Sequence, residues 1–150
     1  MKNWILGWSL AFLLTAPLVA WAEGPQAALL YTDMKGVADE KKEALWGYTK
    51  KVFAEFYSVL PDERVFPAQE KAKAAGCSGE ACLEAVRKEL GVPVTLQLHH
   101  VDEGYFHQLY VTRVTGEGAR QKHYTCSRCT VQEFQVILKR VMRTFDEPQH

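Results

Sequence analysis

Apolar and polar positions alternate most regularly between residues 94 and 126. Val94, Leu96 and Leu98 alternate with Thr95, Gln97 and His99, and after Asp102-Glu103-Gly104-Tyr105 the alternation resumes through Leu109 and Val111. This period of two is that of an antiparallel hairpin with one buried face. With Glu103-Gly104 as a two-residue turn, Leu98 would face Leu109, Leu96 would face Val111 and His100 would face His107, leaving Thr95, Gln97, Gln108, Tyr110 and Thr112 on the polar side. Gly116-Glu117-Gly118 then turns the chain into a third strand, Arg120 to Cys126.

Elsewhere the spacing of apolar residues is helical. Between Asp39 and Leu60, Leu45, Val52, Phe56 and Leu60 recur with Trp46 and Phe53, and Pro61 follows, which predicts one amphipathic helix stopped by proline. Glu80 to Leu90 carries Leu83, Val86 and Leu90 and ends at Gly91; Val131 to Phe145 carries Phe134, Ile137, Leu138, Val141 and Phe145. Thr130 and Glu133 have the spacing of a capping box. Ala27 to Thr32 suits a short buried strand, Arg64 to Phe66 a second, followed by an Ala/Lys-rich helical turn. The order β-α-β-α-β-β-β-α predicts a single α+β domain over residues 23–150, with a mixed sheet of about five strands and three main helices packed on one face. No repeat or long linker divides the chain.

The amino terminus changes the picture from fold to location. Lys2, a nearly unbroken apolar run from Trp4 to Ala20 and Ala20-Trp21-Ala22 before Glu23 form a signal peptide, residues 1–22, cleaved after Ala22. The periplasm is the expected compartment, and a retained inner-membrane anchor is the alternative. The first cysteine is Cys77, so no lipidation cysteine follows the apolar run. With 18 basic and 18 acidic residues scattered along the chain, nothing resembles the clustered positive charge of a nucleic-acid protein.

In that compartment Cys77, Cys82, Cys126 and Cys129 are expected as disulfides. Three pairings exist for four cysteines. The two local bridges are favoured over cross-bridges, and a tetrathiolate zinc site remains a further arrangement. With the first three strands parallel, both pairs are expected at helix amino termini at one pole of the sheet. Ser78 would then cap the second helix, with Cys77 at N′ and Cys82 at N4. A thiol-disulfide function for Cys126-Ser-Arg-Cys129 draws on Arg128 and a helix amino terminus, both of which lower a thiol pKa. Thr130 stands where haem attachment needs histidine.

His100 and His107, with Asp102 as third ligand, are candidate metal ligands. The expectation is nevertheless of a chain without cofactor. Nucleophile-elbow, phosphate-loop and His-Glu-x-x-His motifs are missing, which argues against an enzyme.

Cys77-Ser-Gly-Glu-Ala-Cys82, Leu90-Gly91-Val92, the run from Val111 to Thr115-Gly116-Glu117 and Cys126-Ser-Arg-Cys129 together give the chain a family likeness. It resembles the amino-terminal domain of the TolB translocation protein and the related CsgG-like fold of curli secretion. Pro93 and His99-His100 depart from that pattern. The resemblance implies an exported, non-enzymatic binding or assembly module of the cell envelope, whose partner is an envelope protein or an outer-membrane assembly component. The contact surface expected from the pattern is Thr95, Gln97, His99, Gln108, Tyr110, Thr112 and His123, or an edge strand open to strand addition.

Overall fold

The computed structural model describes residues 24–32 and 34–147. The expected signal peptide lies outside the described residues. Among those described, no helix is long and apolar enough to cross a membrane.

The elements run β1 (Gln26–Leu30), α1 (Asp39–Ala54), β2 (Ser58–Val59), α2 (Asp62–Ala74), α3 (Glu80–Leu90), β3 (Val94–Asp102), β4 (Phe106–Thr115), β5 (Gly118–Ser127) and α4 (Val131–Arg143). They form the expected α+β fold around one mixed five-stranded sheet in the order β2-β1-β3-β4-β5. β1 pairs in parallel with β2 and β3, and β3, β4 and β5 form an antiparallel meander. One edge strand, β2, has two residues and the other, β5, has ten.

Four helices form rather than three, and they cover both faces. β1 explains why: Ala27, Ala28, Leu29 and Leu30 are all buried, as in a strand with packing on each side. Ala27 and Leu29 join Leu45, Val52 and Phe53 of α1, Leu96, Leu98, Leu109 and Val111 of the meander, and Phe134 and Leu138 of α4 in one core. Ala28 and Leu30 join Val65, Ala68 and Ala72 of α2, Leu83 and Val86 of α3, and Val114 in a second.

The segment between α1 and α3 departs from expectation. α1 ends at Ala54, Ser58–Val59 pair with β1, and the expected strand Arg64–Phe66 is helical. Pro61 is the N-cap of α2 rather than only the stop of α1, and Asp62 and Glu63 occupy the first turn, where negative charge suits the helix dipole. The Val65-Phe66-Pro67 sequence looks extended, yet Val65 is fully buried against β1's core partners and the helix tolerates Pro67.

Cys77 bridges Cys82, with Cα atoms 5.1 Å apart, and Cys126 bridges Cys129 at 6.0 Å. The expected shared pole is wrong. The Leu83 carbonyl, beside Cys82, accepts from the Thr95 hydroxyl at 3.1 Å, near the start of β3. Cys126 stands opposite His107, which stands opposite Asp102 at the end of β3. Seven residues of strand, roughly 23 Å, separate those two ends. α2 makes the difference: 13 residues of helix, about 20 Å long, carry the chain along the sheet before Cys77 is reached. The α3 N-cap is Gly79 at φ 55, not Ser78, so Cys82 is the third helical residue.

At α4 the capping box is complete. The Thr130 hydroxyl accepts from the Glu133 N–H at 3.2 Å, and the Glu133 carboxylate accepts from the Thr130 N–H at 2.7 Å. Those bonds hold the Glu133 carboxyl below its usual pKa. Thr130→Ala is expected to cost about 1 kcal/mol, measured by urea denaturation; an unchanged midpoint would show that the cap adds nothing to this helix.

Candidate functional site

The β3–β4 turn sets the geometry of everything near it. Glu103 N–H donates to the Phe106 carbonyl at 2.9 Å, so Gly104-Tyr105, not Glu103-Gly104, is the two-residue turn. Gly104 has φ 83, and glycine is the residue that takes positive φ at the first central position without strain. The register therefore moves by two: Leu98 pairs with Val111, Leu96 with Arg113 and His100 with Leu109. A shift of two preserves which side chains share a face.

Helices α1 and α4 cover one face. On the other, α3 covers only the start of β3 and the end of β4, burying Thr95 completely and leaving Thr112 5% exposed. These two members of the expected contact surface are therefore not available. Gln97, His99, Gln108, Tyr110 and His123 do share the uncovered part, and Gln121 and Thr125 of β5 join them, since both alternate with His123 on the same side. His99, Tyr110 and His123 lie in one row across three strands. The Tyr110 and His123 rings stack with centroids 4.4 Å apart, and His99 follows at 6.1 Å. Tyr110 Oη donates to Gln108 Oε1 at 2.6 Å, and Gln121 Nε2 donates to Thr112 Oγ1 at 3.0 Å. From Gln97 to Val101, Phe106 to Thr112 and Gln121 to Ser127, the side chains alternating onto this face include no Lys, Arg, Asp or Glu.

The opposite face, at the turn end, holds the candidate metal ligands. His100 and His107 are diagonal neighbours rather than partners, with Nε2 and Nδ1 3.2 Å apart. His107 Nδ1 is 3.7 Å from Asp102 Oδ1, which itself accepts from the Gly104 N–H at 2.8 Å. His100 is 3% exposed; burial, with the neighbouring His107 as a smaller cause, pushes its pKa down to about 4. Among the described residues no three His, Cys, Asp or Glu side chains are placed to hold a metal ion. The three residues instead line a cavity of about 70 Å³ with Cys129, Thr130 and Phe134.

A larger crevice of about 580 Å³ opens between α1 and α2. Its aromatic wall was not anticipated, because Trp46 fits a core stripe and Phe66 was assigned to a strand. Tyr31 packs edge-on against Trp46 at 5.2 Å and against Phe66 at 6.4 Å. Most polar groups there are already paired. Lys50 meets Asp62 at 2.8 Å, Lys73 meets Glu70 at 3.0 Å, and Gln69 spends its carboxamide on the Tyr31 backbone, accepting from N–H at 3.2 Å and donating to the carbonyl at 2.6 Å. Such pairing offers no nucleophile or general base to a substrate.

No protein-family model matches the chain, and no curated protein sequence does. Among solved structures, lipoprotein GNA1162 from Neisseria meningitidis superimposes with a TM-score of 0.50 over 84% of this chain and 99% of that one, at 10% identity. The chain shares that lipoprotein's fold. The C-terminal domain of LpoB from Salmonella enterica covers 71% of this chain and 84% of its own, at 11% identity and a TM-score of 0.47. At such identities the likeness concerns the fold alone.

Proposed function

We propose that this chain is a non-enzymatic binding or assembly module of the cell envelope, exported by residues 1–22, cleaved after Ala22 and resident in the periplasm. The observation that carries the reading is the uncovered half of one sheet face, where amides, hydroxyls and a row of three rings stand together and the Glu103 carboxylate, accepting from Gln108 Nε2 at 3.0 Å, is confined to the turn edge. A fold shared with a bacterial lipoprotein supports it, as does the resemblance to the TolB amino-terminal domain and the CsgG-like fold. The partner is an envelope protein, such as an outer-membrane assembly component, that presents an uncharged polar surface. Nucleic acid is disfavoured, because phosphate recognition needs cations that this face lacks. Hydrogen-bond donors and acceptors here are held by neighbouring side chains, so they are pre-oriented and lose little freedom on docking.

Photo-crosslinking tests the reading. A crosslinking residue placed at His99, Gln121 or His123 in the exported protein is expected to trap the same single partner. One placed at Val136, 68% exposed on α4, is expected not to. Identical adducts from all four positions, or none from the sheet, would refute a docking role for this face.

A further inference from the structure

The turn end of the sheet gathers reactive groups that docking on the polar face does not use. Cys126 stands directly opposite His107 in the β4–β5 ladder, on the same face, which places their Cβ atoms roughly 5 Å apart. Cys129 lines the small cavity with His100, Asp102 and His107. Thr130, the next residue, caps a 13-residue helix, so the Cys129 sulfur sits at the positive end of the α4 dipole. Arg128 lies between the two cysteines, held at φ 52, with its N–H donating to the Tyr105 carbonyl at 2.9 Å and its guanidinium 4.7 Å from the Tyr105 ring. Within the cavity wall, the buried His100 Nδ1 has no hydrogen-bond partner among the described residues. Both cysteines are half-buried, and beside them Tyr105 and Phe106 are 49% and 45% exposed, an apolar contact for an incoming chain.

The other bridge provides the contrast. Cys77 and Cys82 are also half-buried and also flank a helix amino terminus. Their loop is Ser78-Gly79-Glu80-Ala81, with a carboxylate in place of the guanidinium of Arg128, and they lie at the far end of β3 from His100 and His107.

We infer that Cys126–Cys129 is an exchangeable disulfide that oxidises a pair of thiols on a protein partner, one exchange per molecule, with His107 stabilising the thiolate that departs. The partner's first thiolate attacks Cys126 Sγ. The Cys126–Cys129 bond breaks and its electron pair leaves with Cys129, whose thiolate is held by the α4 amino terminus and His107. The partner's second thiolate then attacks the partner sulfur of the mixed disulfide and releases Cys126. The partner loses two electrons and two protons and gains a disulfide; this chain gains two thiols. Low thiol pKa values speed departure, which is why the α4 amino terminus matters at this bridge. The inference adds a reaction to the binding reading and does not rest on it.

The two bridges in one molecule allow an internally controlled test. The oxidised protein is exposed to reduced glutathione, quenched by alkylation at intervals, and each bridge is followed by peptide mass. Cys126–Cys129 is expected to open at least tenfold faster than Cys77–Cys82. His107→Ala is expected to bring that ratio close to one while the Cys77–Cys82 rate stays unchanged, which also reports that the variant is folded. Val136→Ala, at an exposed position of α4, is expected to leave the ratio alone. If His107→Ala accelerates both bridges together, as unfolding would, His107→Gln makes the same comparison. A reduced dithiol peptide is expected to be oxidised to the extent of one per molecule. Equal opening rates in the unsubstituted protein, or a ratio that neither His107 variant moves, overturns the inference.

Discussion

Gly36→Ala is expected to destabilise the protein by more than about 3 kcal/mol, because two separate costs fall on one residue. Gly36 has φ 79, where a side chain is strained, and an added Cβ would collide with the backbone carbonyl oxygen of Asp102. Neither side of that contact is free to move. The Lys35 N–H donates to the His100 carbonyl at 3.1 Å and the Asp102 N–H donates to the Lys35 carbonyl at 2.8 Å, so this segment runs as a short parallel rung beside the end of β3. Met34 and Val37 on either side are buried in the larger core. Gly76→Ala is the comparison, since Gly76 has φ 82 with nothing near its missing Cβ, and it is expected to cost only about 1 kcal/mol from backbone strain. The difference between the two urea midpoints measures the collision; equal losses would show that the rung yields.

Acidification is expected to remove about 3 kcal/mol of stability through His100 alone, the product of its pKa displacement and about 1.4 kcal/mol per unit. The folded protein holds this ring neutral down to a pKa of about 4, against 6.5 for an ordinary histidine. The unfolded chain therefore binds the proton more readily, and stability is full above pH 6.5 and declines as pH falls toward 4. His100→Phe keeps a ring against Phe134, whose centroid is 5.4 Å away, and removes the titration. The loss of stability between pH 7 and pH 4.5 is expected to be smaller in the variant than in the parent by most of that amount. Parallel curves would mean that carboxylates, not this histidine, govern acid sensitivity.

The meander was legible because its signal is local and repeated: alternation over nine and ten residues, with glycines at both turns. The capping box at Thr130 was legible for the same reason, since both of its members lie within one turn. The exact register was not, because Glu103-Gly104 and Gly104-Tyr105 both preserve the alternation, and only the backbone conformation at Gly104 separates them. The stretch from Phe56 to Phe66 misled in both directions. Phe56 and Leu60 continue the helical spacing of α1 although the chain has already left the helix to pair with β1, and Val65-Phe66 looks extended although burial against β1 makes it helical. Tertiary packing outweighs propensity in segments this short. The burial of all four residues from Ala27 to Leu30 carried the two-layer arrangement of helices, but a short apolar run is compatible with several environments. Of the candidate site, the shared face of His99, Tyr110 and His123 followed from parity alone. The meeting of Cys126 with His107 needed the third strand's register, which no turn motif specified.

The inequality of the two edge strands has a consequence for assembly. Strand addition needs a row of unpaired backbone groups, and the ten residues of β5 supply one while the two of β2 supply almost none. A sheet of this shape can lengthen from one side only. Two copies meeting through β5 would each present β2 outward and growth would stop there, whereas a chain with two long free edges could extend into a fibre. Arg120 and Lys122 on β5 add a charge barrier to such pairing wherever the register sets them against each other. Among the described residues the fold thus sets one long edge strand against a far side shortened to a stub.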